Sequence, residues 1–310
     1  MEVARLLKDT TKKEAIEDFE NLKDLSCNKI TNFSRTGLKC LDYFFLHHRI
    51  KAKTRRHISF YEASKDKAIM KYINEKSRKV RQKNFSKLTR KEKVRARYNL
   101  FQLYYGSINQ FRPSEAKRLY CRFEPKIGIL DFSAGWGGRC LASIAYGIPY
   151  IGIDANKNMK GSYNQMIKAV DKDAKVTMLF QPSETVDFSK FKYDLVFTSP
   201  PYFMIEEYEK MPAYGSKEGF LDKFFRPVVT NVWKHLQSPG YMALNMPKEM
   251  YDSVKGMLPP LWKRLQLTVS NRHPRNAARG EKIGKVDKGG RTEGIYIWKK
   301  GGTKTRKNKK

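Results

Sequence analysis

The stretch ILDFSAGWGGR, residues 129–139, decides the fold, because an apolar run passes directly into a glycine-rich bend. The run ends at Asp131, and Gly135, Gly137 and Gly138 follow it. Glycines at a strand-to-helix turn permit a tight turn and let a ligand approach the main chain, and a plain turn is the alternative. The spacing differs from the phosphate-binding GxGxxG pattern, and no Walker lysine follows. The stretch therefore predicts a ligand site at the end of a first strand.

Short apolar runs alternate with longer amphipathic segments after this bend. Such alternation predicts an α/β fold, in which a mostly parallel sheet is covered by helices on both faces. The last predicted strand has no helix before it, so the final pair is expected to be antiparallel. The predicted strands are 126–131, 149–154, 175–180, 194–199, 240–246, 266–270 and 294–300, and the predicted helices are 139–147, 157–170, 216–236 and 248–258.

A second acidic residue, Asp154, closes the second predicted strand. In doubly wound folds a carboxylate at this position holds ribose hydroxyls, because it accepts two hydrogen bonds from a vicinal diol. Together with the glycine bend, Asp154 favours a cofactor of the adenosine type.

The fourth predicted strand ends in DLVFTSPPYF, residues 194–203. Neither proline can donate to a sheet ladder, so the pair ends the strand. Ser199 offers an oxygen, Pro200 offers a carbonyl that Pro201 helps to aim, and Tyr202 offers a flat face for an extruded base. An ordinary strand stop followed by a turn is the alternative interpretation.

The motifs ILDFSAGWGGR, YIGIDAN and DLVFTSPPYF resemble those of the S-adenosylmethionine-dependent amino-methyltransferases, and the resemblance spans residues from about 109 to 300. It implies a Rossmann-like methyltransferase fold with a mostly parallel seven-stranded sheet, and S-adenosylmethionine as cofactor. The segment NQFRPSEAKRLY, residues 109–120, resembles the family's tenth motif, which also touches the cofactor. One departure is that the family's motif phenylalanine is Ser133 here, with Phe132 one place earlier.

The resemblance also assigns roles to individual residues. After the third strand, Ser183 or Glu184 is a candidate for contact with adenine, and a plain loop is the alternative. The residues implied to bind the cofactor are Phe111, Pro113, Asp131, Ser133, Ala134, Gly135, Gly137, Asp154, Ala155 and Ser183, and those implied in catalysis are Ser199, Pro200, Pro201 and Tyr202.

The acceptor is expected to be a nitrogen atom. Methylation at carbon 5 of cytosine needs a cysteine nucleophile, which in a related family follows a proline, and no cysteine here follows a proline. In resembling enzymes a serine at the position of Ser199 is common among N4-cytosine methyltransferases, so the resemblance favours cytosine N4 in DNA over adenine N6. The rivals are a methyltransferase that acts on RNA bases and a non-catalytic nucleic-acid-binding protein with a degenerate methyltransferase core.

The charge of the chain indicates a polyanionic partner. Its 63 Lys and Arg residues outnumber 31 Asp and Glu, for a formal net charge of +32 over 310 residues. Basic residues 51–97, interleaved with aromatic rings, and the basic loop 271–291 are the predicted nucleic-acid contacts. The alternatives are rings that form a helix core and charges that form only a solvated face.

The chain is predicted to divide into a basic helical region at 1–105, a catalytic domain at 106–300 and a disordered basic tail at 301–310.

Three further expectations come from composition. No run of about 18 apolar residues occurs, so no membrane span is predicted. The first residues have no long apolar core, so the chain is expected to stay inside the cell and not to be secreted. The four cysteines, Cys27, Cys40, Cys121 and Cys140, form no CxxC pair, so buried thiols are expected and no metal site.

Overall fold

A seven-stranded sheet organises the computed structural model of the chain, which describes residues 2–31, 34–54, 56–80, 87–201, 214–266 and 293–301. The strand order is β3-β2-β1-β4-β5-β7-β6. The five strands β1 to β5 run parallel, and β7 lies antiparallel between β5 and β6. The strands are β1 (Ile129–Asp131), β2 (Tyr150–Ile153), β3 (Val176–Leu179), β4 (Leu195–Thr198), β5 (Gly240–Pro247), β6 (Lys263–Gln266) and β7 (Glu293–Lys300).

This topology confirms the predicted Rossmann-like methyltransferase fold, including the antiparallel final pair. Two predicted strand starts were wrong by three residues, since β1 begins at Ile129 rather than at 126 and β6 begins at Lys263 rather than at 266. Residues 267–270 lie outside the described part of the chain. The segment KRLQ contains a single apolar residue, so its sequence gives no strand signal. It becomes a strand because it pairs with β7, where Lys263 is opposite Ile297.

Twelve α-helices lie within the described ranges. The predicted helix 216–236 is a continuous helical segment, in which the π-helical turn Leu221–Phe225 joins two α-helices. The α-helices are α1 (Glu2–Leu7), α2 (Lys12–Asp24), α3 (Leu38–Arg49), α4 (Phe60–Ala63), α5 (Lys67–Val80), α6 (Arg90–Tyr105), α7 (Pro113–Phe123), α8 (Gly138–Tyr146), α9 (Lys160–Val170), α10 (Lys217–Phe220), α11 (Arg226–His235) and α12 (Lys248–Val254).

Two hydrophobic cores cover the two faces of the sheet. Successive residues of a strand point to opposite faces. In β4, accordingly, Leu195 packs against the helical layer of α2, α3 and α7 to α9, and Val196 packs against that of α10 to α12. Both faces are buried, which explains why the central strands are continuous apolar runs.

The N-terminal helices divide between two cores. Helices α2 and α3, although they precede the predicted boundary at 105, contribute to the core of the sheet: Phe45 of α3 contacts Tyr163 of α9 edge to face, with ring centroids 4.9 Å apart. A third core joins α1, α4, α5 and α6 around Phe60 and Phe101. Part of the basic helical region is therefore built into the layer that covers the sheet.

A disulfide joins Cys27, in the 3₁₀ turn Cys27–Lys29, to Cys121 of α7. The expectation that all four cysteines are thiols is therefore wrong for this pair, whereas Cys40 and Cys140 are free and buried as expected. The two half-cystines are 94 residues apart, so their contact depends on how α7 packs beside the end of α2.

No helix in the described ranges is long and apolar enough to cross a bilayer.

Candidate active site

The glycine bend and the Ser-Pro tip lie at the same edge of the sheet. Strand β1 pairs in parallel with β4, with Ile129 opposite Leu195, so the segments that follow both strands emerge together at their carboxyl ends. Chain order reverses here, because β1 has β2 on one side and β4 on the other. Open α/β sheets bind ligands at such a switch point.

The Asp131 side chain is fully buried at this edge and accepts five hydrogen bonds. Arg139 donates from Nε at 2.7 Å and from Nη2 at 3.3 Å, and the Tyr150 hydroxyl donates at 2.5 Å. The Thr198 hydroxyl donates at 2.7 Å and the Ser133 backbone N–H at 3.2 Å. Burial, followed by the charge of Asp131, raises the pKa of Tyr150 well above its ordinary value, so its hydroxyl remains a donor. Asp131 has no exposed surface, and its predicted contact with a cofactor stays a prediction.

Gly135, within the glycine bend (residues 132–138), has both its N–H and its C=O in hydrogen bonds. The Gly135 N–H donates to Asp154 Oδ2 at 2.8 Å, and its carbonyl accepts from the Tyr163 hydroxyl at 2.8 Å. The φ angle of Gly135 is +59°, in the left-handed region. A Cβ on Gly135 would meet only the Ser133 carbonyl oxygen, at 3.9 Å, so the described residues leave space beside this Cα. A ligand can therefore approach the backbone here.

The other two glycines of the bend pack tightly. Gly137 has a φ of +76°, and a Cβ there would lie 2.9 Å from the ring of Phe45. A Cβ on Gly138 would overlap the carbonyl oxygen of Phe111. These positions require glycine because protein atoms crowd them, whereas the surroundings of Gly135 are open.

Asp154, a partly exposed residue, lies beside the bend. Its second oxygen accepts from the Asn156 backbone N–H at 2.9 Å. Burial raises the pKa of Asp154 to about 6, although the N–H donors of Asn156 and Gly135 act in the opposite direction. Ala155, the next residue, is also partly exposed.

The remaining predicted cofactor residues near the bend are engaged within the protein. The Ser133 hydroxyl donates to the Phe132 carbonyl at 2.8 Å, and the Ser183 hydroxyl, which is buried, donates to the same carbonyl at 2.6 Å. Ala134 is buried, and its N–H donates to the Ile153 carbonyl at 2.9 Å. Any contact of these residues with a cofactor stays a prediction.

Glu184 offers what Ser183 does not. One carboxylate oxygen of Glu184 accepts from the Tyr214 hydroxyl at 2.8 Å, and the other, Oε2, is buried without a hydrogen-bond partner among the described residues. A buried acceptor of this kind is costly unless a donor reaches it. Of the two candidates after β3, Glu184 therefore has the free acceptor.

The segment before α7 lies against the same strands. The half-buried ring of Phe111 contacts Phe197 of β4 edge to face, with centroids 5.3 Å apart, and lies 5.6 Å from the Arg139 guanidinium. Pro113 is the first residue of α7 and is buried against Gly37, just before α3. Phe111 thus lies beside the bend, whereas Pro113 packs between helices.

The Ser199-Pro200 tip, which directly follows β4, is partly exposed and is held by a hydrogen bond from β5. Ser199 and Pro201 are partly exposed, and Pro200 is buried. The Asn245 side-chain amide, from β5, donates to Ser199 Oγ at 3.2 Å. Tyr202, the predicted base-stacking residue, lies outside the described residues.

The predicted nucleic-acid surface is described in part. Within 51–97, Tyr72 is 39% exposed, with Lys76 Nζ 5.2 Å from its ring centroid, and Lys65 Nζ lies 4.1 Å from the ring of Tyr61. Tyr98 instead packs edge to face on Phe60, so this ring belongs to the helix core. The loop 271–291 lies outside the described part of the chain.

No group of three His, Cys, Asp or Glu side chains that could hold a metal ion occurs among the residues that are described.

Sequence patterns had not identified several residues of this edge. Arg139, Tyr150 and Thr198 come from three different elements, and all three donate to Asp131. Arg139 directly follows the glycine bend, and that position was the only signal for it. Tyr150 and Thr198 resemble ordinary strand residues.

No protein-family model matches this chain, and no curated protein does either. Similar solved structures include TrmN from Thermus thermophilus, with 18% identity over 61% of this chain and 49% of that one, at a TM-score of 0.42. The tRNA m1G37 methyltransferase from M. jannaschii is 14% identical over 63% and 52% of the two chains, at a TM-score of 0.39. An S-adenosylmethionine-dependent methyltransferase from Clostridium acetobutylicum is 9% identical over 66% and 98%, at 0.44. The match spans about half the length of the first two, and these similarities are too distant to carry an argument about substrate.

Proposed function

We propose that this chain is an S-adenosylmethionine-dependent methyltransferase that methylates an exocyclic amine of a base in DNA, with cytosine N4 favoured over adenine N6. One observation carries the proposal: the glycine bend and the Ser199-Pro200 tip emerge side by side at the switch point between β1 and β4. The two motifs that the resemblance assigns to methyl donor and acceptor are thereby brought together.

The residues at the bend suit an adenosine-type cofactor. Asp154, a partly exposed residue, offers a carboxylate with remaining acceptor capacity for a ribose diol. The open space beside Gly135 lets the ligand approach the backbone, and Glu184 Oε2 is a buried acceptor for an amino group. When bound, S-adenosylmethionine supplies a methyl group on a sulfonium, which is already a good leaving group.

The tip then positions the nucleophile. An exocyclic amine delocalises its lone pair into the base, so acceptors for its hydrogens are needed to make the nitrogen pyramidal. Ser199 Oγ and the Pro200 carbonyl are the proposed acceptors. The side-chain amide of Asn245 donates a hydrogen bond to Ser199 Oγ and so fixes its position. Positioning of this kind supplies a large part of catalysis when the leaving group needs no activation.

The nucleic-acid substrate is supported by charge. A net charge of +32 is far more than solubility requires, and phosphate contacts would offset the cost of extruding a base. The described part of the basic stretch presents Lys65, Lys67 and Lys71 to solvent. Tyr202 would stack on the base, so we expect Tyr202→Ala to lower turnover while cofactor affinity is kept.

The experiment uses the full chain with S-adenosylmethionine that carries a labelled methyl group, offered DNA and RNA of matched sequence. The products are digested to nucleosides and identified by mass. N4-methylcytosine in DNA is the expected product, and Ser199→Ala is expected to remove it, whereas Ser189→Ala, an exposed serine of the turn Phe188–Lys190, keeps it.

The other outcomes separate the rivals. N6-methyladenine would contradict the base assignment, and label in RNA alone would identify an RNA base methyltransferase. Calorimetry with S-adenosylmethionine distinguishes the non-catalytic rival, because a chain that binds nucleic acid but not the cofactor is a binding protein with a degenerate core.

A further inference from the structure

We propose that the buried Asp131 carboxylate is a single anchor that fixes both the glycine bend and the Ser199-Pro200 tip, and that Thr198 is the residue through which it positions the tip. The catalytic consequence rests on the proposed function, whereas the structural part does not. Asp131 is thereby a positioning residue rather than a cofactor contact.

The saturation of the carboxylate is the first step. An ionised carboxylate has about four lone-pair sites. Asp131 Oδ1 accepts from Thr198, from the Ser133 N–H and from Arg139 Nη2, while Oδ2 accepts from Arg139 Nε and Tyr150. Every site is used by the protein, and Asp131 is fully buried, so a ligand finds no acceptor on it.

The donors show which segments the carboxylate joins. Ser133 belongs to the bend, and the Arg139 guanidinium also donates to the Ser133 carbonyl at 2.5 Å, so the bend is held by both its N–H and its C=O. Thr198 is the last residue of β4 and directly precedes Ser199. One side chain therefore contacts the segments on both sides of the proposed reaction.

Burial indicates that this arrangement serves geometry. Thr198 and Asp131 are fully buried, and Arg139 is nearly so. Replacing a buried ion pair by well-packed apolar residues is often neutral or stabilising, so such a pair is weak evidence for a role in stability alone. A fully satisfied buried network does, however, fix directions that apolar packing leaves adjustable.

The expected effect on turnover follows from positioning. A displacement of about 1 Å between reacting groups lowers a rate on the order of 100-fold. Thr198→Val keeps the shape of the side chain and removes only the hydroxyl that reaches Asp131. We expect it to lower kcat by about 10- to 100-fold while the cofactor Kd changes less than about twofold. Thr198→Ser keeps the hydroxyl and is expected to restore kcat to within about threefold of the parent chain.

Hydrogen exchange provides a readout that does not depend on activity. In Thr198→Val the peptide that spans 195–201 should exchange faster than in the parent, while the peptide that spans 132–139 keeps its protection. Tyr193→Phe is the matched control, because it removes a buried hydroxyl that donates to the Val232 carbonyl and not to Asp131. It should lower the melting temperature without changing exchange at 195–201.

The inference is overturned if exchange at 195–201 is the same in Thr198→Val and the parent. It is also overturned if Thr198→Val and Tyr193→Phe lower kcat and melting temperature in the same proportion, since that result means a merely structural role. If the parent chain transfers no methyl group, the proposed function fails, yet the exchange measurement still decides whether Asp131 anchors the tip.

Discussion

The Asp154 carboxylate accepts a hydrogen bond from the backbone N–H of Gly135, at 2.8 Å, so an acidic side chain after β2 holds the bend that follows β1. This contact couples two motifs that are separate in the sequence. It also places a carboxylate with a pKa of about 6 beside the one glycine of the bend that faces open space. The ionisation of Asp154 and the binding of a ligand at Gly135 should therefore be linked.

The affinity for S-adenosylmethionine is expected to depend on pH through Asp154. Above pH 7 the carboxylate is ionised and accepts hydrogen bonds from a ribose diol, whereas below its pKa of about 6 protonation removes acceptor capacity. The Kd measured by calorimetry should therefore be flat between pH 7 and 8 and rise about tenfold between pH 7 and 5. Asp154→Asn should bind more weakly at pH 7 and lose this dependence. A parent Kd that is unchanged at pH 5 would contradict the assignment.

Two glycine substitutions separate folding from ligand access. Gly137→Ala combines a positive φ with a Cβ 2.9 Å from the Phe45 ring, so it should lower the free energy of unfolding by about 2–4 kcal/mol. Gly135→Ala meets no crowding, so its cost is only the left-handed backbone, about 1–2 kcal/mol. Urea unfolding provides both values. Cofactor affinity should instead fall more in Gly135→Ala than in Gly137→Ala. We expect a loss of about tenfold or more in Gly135→Ala, because the new methyl group enters the space of the ligand.

Reduction of the Cys27–Cys121 disulfide should destabilise the chain. The bond closes a long loop and links the end of α2 to α7, so its removal is expected to lower the free energy of unfolding by about 2–4 kcal/mol. Thermal unfolding with and without dithiothreitol provides the measurement. The double variant Cys27→Ser/Cys121→Ser is the control, and its melting temperature should not respond to the reductant. A parent chain that is equally indifferent would show that the bond is not formed in solution.

Two exposed lysines of α5 test the predicted nucleic-acid surface. Lys67→Gln/Lys71→Gln should weaken DNA binding and reduce the slope of log K against log salt by up to about 2, since each phosphate contact contributes about 0.9 for duplex DNA. Lys172→Gln/Lys175→Gln removes the same charge from the exposed loop between α9 and β3. Titrations by fluorescence anisotropy at several salt concentrations compare the pairs. Equal slopes in the two variants would mean that net charge, and not this surface, governs binding.

The sequence predicted the features that depend on local pattern. Six of the seven strands, their mostly parallel arrangement and the meeting of the bend with the Ser199-Pro200 tip follow from apolar runs and from the rule that strand ends share an edge. What escaped prediction depends on contacts between distant segments. The donors around Asp131 come from α8, β2 and β4, and no periodicity marks them.

The dependence on distant contacts also explains the errors about β6, the disulfide and Ser183. Strand β6 has the polar sequence KRLQ and is defined by its partner strand, not by its own residues. The disulfide required knowing that the end of α2 lies beside α7. Glu184 was preferred over Ser183 only when the structure showed that the Ser183 hydroxyl donates to the Phe132 carbonyl.

Phe45 of α3 packs against Gly137, so part of the basic amino-terminal region supports the glycine bend. A truncated protein that starts at residue 106 would lack Phe45 and would expose to water the side of the glycine bend that Phe45 covers. Engineers who wish to graft this sheet onto another protein would therefore have to carry α2 and α3 along with it.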